Sequence, residues 1–317
     1  MALLGFLSTM LLTRVLSERV YAMYGLLVTF STTVVMFISF GYDASYMRFY
    51  YEHGTTQRKF MLKCLKYPFV LSVVFAAVTL EPSHRLIKYI FGGDFTFKIA
   101  FLITVYILIS VLQRFIQLTA RMEEYAINYT LSNLVAKCGF LIIVAAVFYC
   151  GKEISFYHIV ISFTLSMAAS VLLNFIVFFK VQHKKSVQSG NVTERELFSY
   201  GFPFMVNNVL VLIIPMIEKL VIRDISGWEL LSIYTAAAAF QTIIFLITNT
   251  IENIWNPIVF KNCDDKHKFQ PILHNFGFAA TILMTVGLAF CILLRRWLVI
   301  FLAKNYFDVY IIAPAIL

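Results

Sequence analysis

The sequence is short of charge: Asp, Glu, Lys and Arg make up 14% of its 317 residues, against about 25% in a soluble domain. With 60% hydrophobic residues and a mean hydropathy of +0.81, this excludes an ordinary cytosolic enzyme. Long polar connections are also missing; the longest, VQHKKSVQSGNVTERELFSY at 181–200, is short, basic and the one Ser/Gln/Gly-rich stretch in the chain. A membrane-embedded polymerase or acyltransferase would carry a sizeable extramembrane loop with clustered acids or histidines, whereas the six histidines here are dispersed among short connections. The five cysteines (Cys64, Cys138, Cys150, Cys263, Cys291) form no C-x-x-C and have no histidine at metal spacing, so neither a metal nor a cofactor is expected. Alternating strand segments are few, which excludes a membrane barrel. No positive segment precedes the first apolar run and no small-residue cleavage site follows it, so a signal peptide is not expected.

What the chain has instead is apolar runs. A spanning helix needs about 20 mostly apolar residues, and the pattern predicts helices at 1–13, 22–44, 67–80, 98–113, 132–150, 157–179, 199–222, 229–251, 271–294 and 297–317. The fold class is therefore an all-α integral membrane protein, a polytopic helix bundle. Thirteen residues at about 1.5 Å each give about 20 Å, short of a hydrocarbon core of roughly 30 Å, so the first helix reads as one that starts late.

With the N-terminus cytoplasmic, the inside segments 45–66, 114–137, 180–198 and 255–270 hold more Lys and Arg than the outside ones, which favours that orientation. The excess of 26 basic over 17 acidic residues then belongs to membrane lipid headgroups rather than to nucleic acid.

Shifting the chain against itself by about 210 residues lays LLTRVLSERVYAMYGLLVTF under KLVIRDISGWELLSIYTAAAAF, with Arg14 on Arg223, Tyr24 on Tyr234 and Phe30 on Phe240. Basic residues and loop lengths stay in phase over about a hundred residues. Six helices separate the copies, so both run in the same direction, a transporter architecture of two lobes related by an axis along the membrane normal. The expected organisation is an N-terminal lobe at 1–180, a cytoplasmic linker at 181–198 and an incomplete C-terminal lobe at 199–317: two six-helix lobes truncated to about ten helices.

LLTRVLS with YG after it at the first helix, GYDASYMRFYYE closing the second, YGFPF opening the seventh, and IYTAAAAF and IWNPIVFK in the eighth occur in order over nearly the whole chain. Together they resemble the O-antigen and polysaccharide-unit flippases of the multidrug/oligosaccharidyl-lipid/polysaccharide exporter superfamily. The resemblance implies a twelve-helix, two-lobed protein of the inner membrane. It would move undecaprenyl-pyrophosphate-linked oligosaccharides outward, alongside polysaccharide-assembly proteins, without being an enzyme. That family commonly has an aspartate followed by a basic residue late in the seventh helix, where this chain has Glu218 and Lys219.

Ionisable side chains inside a membrane are costly and are functional candidates by default, with snorkelling to an interface as the competing reading. Glu218 lies about 27 Å along the seventh helix from Tyr200, near the outer interface, where Lys219 and Arg223 could reach headgroups or act as a gate. Gln241, Thr248 and Glu252 fall on one helical face, which suits either a cavity or a polar seam. Thr29, Thr32, Thr33 and Ser39 on the second helix, and Asn207 and Asn208 on the seventh, are read the same way. A pyrophosphate wants guanidinium or ammonium partners; Arg14, Arg48, Arg114, Lys219 and Arg223 are the candidates, Arg48 and Arg114 also being explained as positive-inside anchors. Asp43, five residues before Arg48, pairs with it or with nothing. Two readings compete with the flippase: a multidrug exporter of the same superfamily, and an inactive fragment of a disrupted gene.

Overall fold

The computed structural model describes residues 2–50, 57–81, 85–92, 97–123, 125–151, 153–181 and 192–262, with short pieces between 274 and 289. In chain order the helices are α1 (Ala2–Val15), α2 (Glu18–Ser39), α3 (Tyr42–Phe49), α4 (Gln57–Thr79), α5 (Arg85–Phe91), α6 (Phe97–Met122), α7 (Ala126–Tyr149), α8 (Phe156–Val181) and α9 (Glu194–Asn262). No strand occurs among the described residues. Among the described residues, six helices are long and apolar enough to cross a membrane: α2, α4, α6, α7, α8 and the 194–238 part of α9. The chain is an all-α polytopic membrane protein, as its apolar runs indicate. The predicted span at 297–317 lies outside the described residues, as does most of that at 271–294.

Helix ends differ from the sequence reading in both directions. The second span is predicted to reach residue 44, but α2 stops at Ser39, where Phe40 (φ 48°) and Gly41 (φ 75°) turn the chain into α3. Conversely α4 begins at Gln57 rather than 67, and α6 runs to Met122 rather than 113. Lysine and arginine end an apolar run without ending a helix, since both are good helix formers and backbone hydrogen bonding continues past the hydrocarbon. Lys59, Lys63, Lys66, Arg114 and Arg121 therefore stand on helices and not in loops. The start of α9 is fixed by a reciprocal cap: Thr193 N donates to Glu196 Oε2 (2.7 Å) and Glu196 N donates to Thr193 Oγ1 (3.3 Å), satisfying two backbone donors that a helix start leaves open.

The chain divides into two compact units, 23–225 on the one hand and 1–22 with 226–317 on the other. In the first, α6, α7 and α8 form a three-helix group, α4 lies on α6, and the short α3 docks on α4 and α6. Phe140 and Phe163 stack at 4.2 Å in its core, with Tyr24 stacked on both and Tyr106 beside Phe163. A polar seam joins the three-helix group: Gln113 Nε2 donates to Ser170 Oγ (2.6 Å), which donates to Ser132 O (2.7 Å). The outer face of α4 remains apolar and open, Phe69 being 65% exposed, as expected of a surface that faces lipid. In the second unit the Arg19 guanidinium lies over the Trp228 ring at 5.9 Å.

The seventh and eighth predicted spans join in α9, interrupted at Gly227 (φ 80°, ψ −175°). That backbone region is accessible essentially to glycine alone. Open space surrounds the position, so Gly227→Ala is expected to cost about 1–3 kcal/mol from backbone strain alone. A lowered midpoint in thermal unfolding of the detergent-solubilised protein would register it; an unchanged midpoint would contradict it.

Candidate functional site

Within the 23–225 unit, α2 and the turn after it run antiparallel to the first limb of α9 and meet it at three heights. At one end the backbones meet: a Cβ on Gly41 would fall 2.0 Å from Gly201 O, and one on Gly201 would fall 2.4 Å from Gly41 O. Around this joint Ser45 Oγ donates to Leu197 O (2.5 Å), Phe40 stacks on Phe198 at 5.9 Å, and Phe49 meets Tyr200 edge-on at 5.7 Å. Midway, Thr33 Oγ1 donates to Leu212 O (3.3 Å), next to the carbonyl that Pro215 deprives of its helical partner.

At the far end Lys219 enters the seam. Its side chain is buried, 8% exposed, and Nζ donates to Gly25 O (2.9 Å) and to Thr29 Oγ1 (2.6 Å). Thr29 Oγ1 in turn donates to Gly25 O (3.0 Å), so a carbonyl and a hydroxyl are the acceptors that hold the ammonium. Lys219 stands about 36 Å along the helix from Arg195, which places it near the opposite end of a hydrocarbon layer roughly 30 Å thick. Its amine turns inward to α2 and not outward to headgroups.

Arg223, one turn on, donates through Nη1 to Tyr89 O (2.6 Å) and to Ile90 O, with Nε on Asp224 Oδ1 (2.7 Å). It caps the last carbonyls of α5, where a cation is favoured by the helix dipole. Glu218 is exposed on α9.

A second polar group lies near the glycine joint. Asp43, 3% exposed, accepts from Arg114 Nε at 2.8 Å and from Arg114 Nη2. This corrects the pairing of Asp43 with Arg48. Five residues along a helix turn about 140° away from one another, so Arg48 lies on another face of α3, exposed and over the Phe49 ring at 5.4 Å. Below the pair, Tyr46 Oη and Thr119 Oγ1 share a hydrogen bond (2.7 Å) and Tyr50 Oη donates to Glu123 Oε1 (2.7 Å). Burial holds the Tyr46 phenol well above its ordinary pKa. Arg114 is thus an internal partner two turns before the end of α6, not a terminal anchor.

The remaining candidates scatter. Arg14 is exposed on α1, and Asn208 is half-buried on α9 with Asn207 exposed beside it. Thr32 and Ser39 bond back to their own helix, at Val28 O and Val35 O. The side chains of Gln241, Thr248 and Glu252 lie outside the described residues. Sequence reasoning missed the glycine joint, although its two halves, GYDASYMRFYYE and YGFPF, had each stood out as motifs.

Helices of spanning length with ionisable side chains held between them define a polytopic α-helical membrane protein. Over residues 1–262 the chain matches the family described as polysaccharide biosynthesis protein, and it belongs to that family. No curated protein and no solved structure matches it.

Proposed function

We propose that the protein is a transporter, not an enzyme, that moves undecaprenyl-pyrophosphate-linked oligosaccharide across the inner membrane for polysaccharide or O-antigen assembly. Lobes at 1–180 and 199–317, joined by the 181–198 linker, alternate access around the substrate, with the N-terminus cytoplasmic and other polysaccharide-assembly proteins supplying and consuming the cargo. Membership of the polysaccharide biosynthesis family supports the pathway.

The observation that carries the reading is Lys219. An ammonium buried between two membrane helices and hydrogen-bonded to uncharged acceptors has more to gain from a phosphate oxygen, which adds charge–charge attraction where little water screens it. A pyrophosphate reaching this end of the seam would draw Nζ from Gly25 O and Thr29 Oγ1 and loosen α2 from α9. Lys219 is then a gate contact that exchanges helix for substrate.

In a strain deleted for the gene, wild type should restore surface polysaccharide. Lys219→Gln, which still bonds α2 but carries no charge, should fall at least tenfold short, and Lys219→Arg should act in part. Full restoration by Lys219→Gln would remove the lysine from the mechanism. Export of cationic dyes without any polysaccharide phenotype would assign the chain to drug export instead.

A further inference from the structure

A cavity of about 360 Å³ opens beside the α2–α3 turn, bounded by α4 and the start of α9, all within the 23–225 unit. Its lining changes character with depth. Tyr67, Glu194 and Arg195 stand where α4 and α9 turn polar, while Val70, Leu71 and Phe198 sit about one turn further into the apolar runs. Glu194 is already engaged, accepting from Tyr67 Oη (2.8 Å) and paired with Lys66 Nζ (3.3 Å). Arg195 lines the same cavity and forms no ion pair among the described residues. The cavity therefore joins an apolar floor at hydrocarbon depth to a guanidinium at headgroup depth.

We infer that this cavity binds one anionic phospholipid of the surrounding bilayer, its phosphate on Arg195 and one acyl chain along Val70, Leu71 and Phe198. A free phosphate would meet the guanidinium but leave the apolar floor uncovered, and a zwitterionic lipid would bring its own cation against Arg195 and Lys66. A phosphodiester with a glycerol headgroup supplies a net negative charge at the height where basic groups between membrane helices attract it, and a guanidinium can bind it through two parallel hydrogen bonds. The chain then continues onto the exposed outer face of α4, where Val70 and Phe69 are 55% and 65% exposed. Because Phe40 and Phe198 belong both to the cavity and to the Gly41–Gly201 joint, the lipid buttresses that joint.

Native mass spectrometry of the purified protein, exchanged from mixed micelles of phosphatidylglycerol and phosphatidylcholine with identical chains, tests it. One phosphatidylglycerol should be retained at least tenfold over phosphatidylcholine. Arg195→Gln should abolish the preference, Arg195→Lys should keep part of it, and Leu71→Trp, which fills the floor, should displace the lipid altogether. Equal retention of the two lipids by the wild type, or an unchanged preference in Arg195→Gln, would overturn the inference. So would displacement by millimolar inorganic phosphate, which would make the site one for a free anion.

Discussion

Gly41→Ala is expected to remove most of the folded protein from the membrane. Two costs fall on the same atom. The residue sits at φ 75°, where a side chain costs about 1–2 kcal/mol, and its Cβ would stand 2.0 Å from the Gly201 carbonyl oxygen, inside any tolerable contact. Backbone cannot swing aside as a side-chain tip can, so α2 and α9 must separate. Overpacking of that kind costs typically 1–3 kcal/mol and occasionally more, for a sum of about 2–5 kcal/mol. Marginal stabilities of about 5–15 kcal/mol make that a large share. Gly227→Ala is the matched control, since it has the same sign of φ but open space around it. Gly139→Ala is a second, its added Cβ meeting Ser166 Cβ at 3.3 Å. Monodisperse yield and thermal midpoint in detergent should fall further for Gly41→Ala than for either. Equal losses at Gly41 and Gly227 would mean the close approach carries no energetic weight.

The second large effect is expected at Asp43 and Arg114. Their side chains are 4% and 29% exposed, so removing one leaves the other charged and largely desolvated. Breaking a buried pair in this way costs about 3–5 kcal/mol, whereas replacing both members with apolar side chains is often neutral. Arg114→Met should therefore destabilise strongly, and Asp43→Leu with Arg114→Met should recover most of the loss. The double-mutant cycle separates this from simple loss of contacts: additive effects of the two substitutions would show that the pair is not coupled.

How much of this was legible in the sequence follows from what each feature depends on. Apolar runs gave the spans because a helix in lipid satisfies its own backbone wherever it sits; that needs no knowledge of neighbours. Helix ends were less legible, since charge marks the edge of the hydrocarbon and not of the helix, and α4 and α6 run on through their lysines and arginines. Partners were not legible at all. Asp43 is closer in sequence to Arg48 than to Arg114, and only the docking of α3 on α6 decides between them. The motifs GYDASYMRFYYE and YGFPF could be seen separately, but that Gly41 faces Gly201 is a fact about the antiparallel seam. Lys219 lay between. Its depth near an interface could be counted along the helix, while the inward turn of its amine to Gly25 and Thr29 could not, because one helix does not show which of its faces has a neighbour.

The proposal that this amine exchanges α2 for a substrate phosphate is tested most directly by translocation in proteoliposomes. A fluorescent polyprenyl-pyrophosphate-linked oligosaccharide and its uncharged polyprenyl glycoside counterpart should be compared with wild type, Lys219→Gln and Lys219→Arg. The expected result is rapid movement of the pyrophosphate lipid by wild type, at least tenfold slower movement by Lys219→Gln with Lys219→Arg between them, and no acceleration of the uncharged lipid by any of the three. Equal translocation of the pyrophosphate lipid by wild type and Lys219→Gln would contradict it.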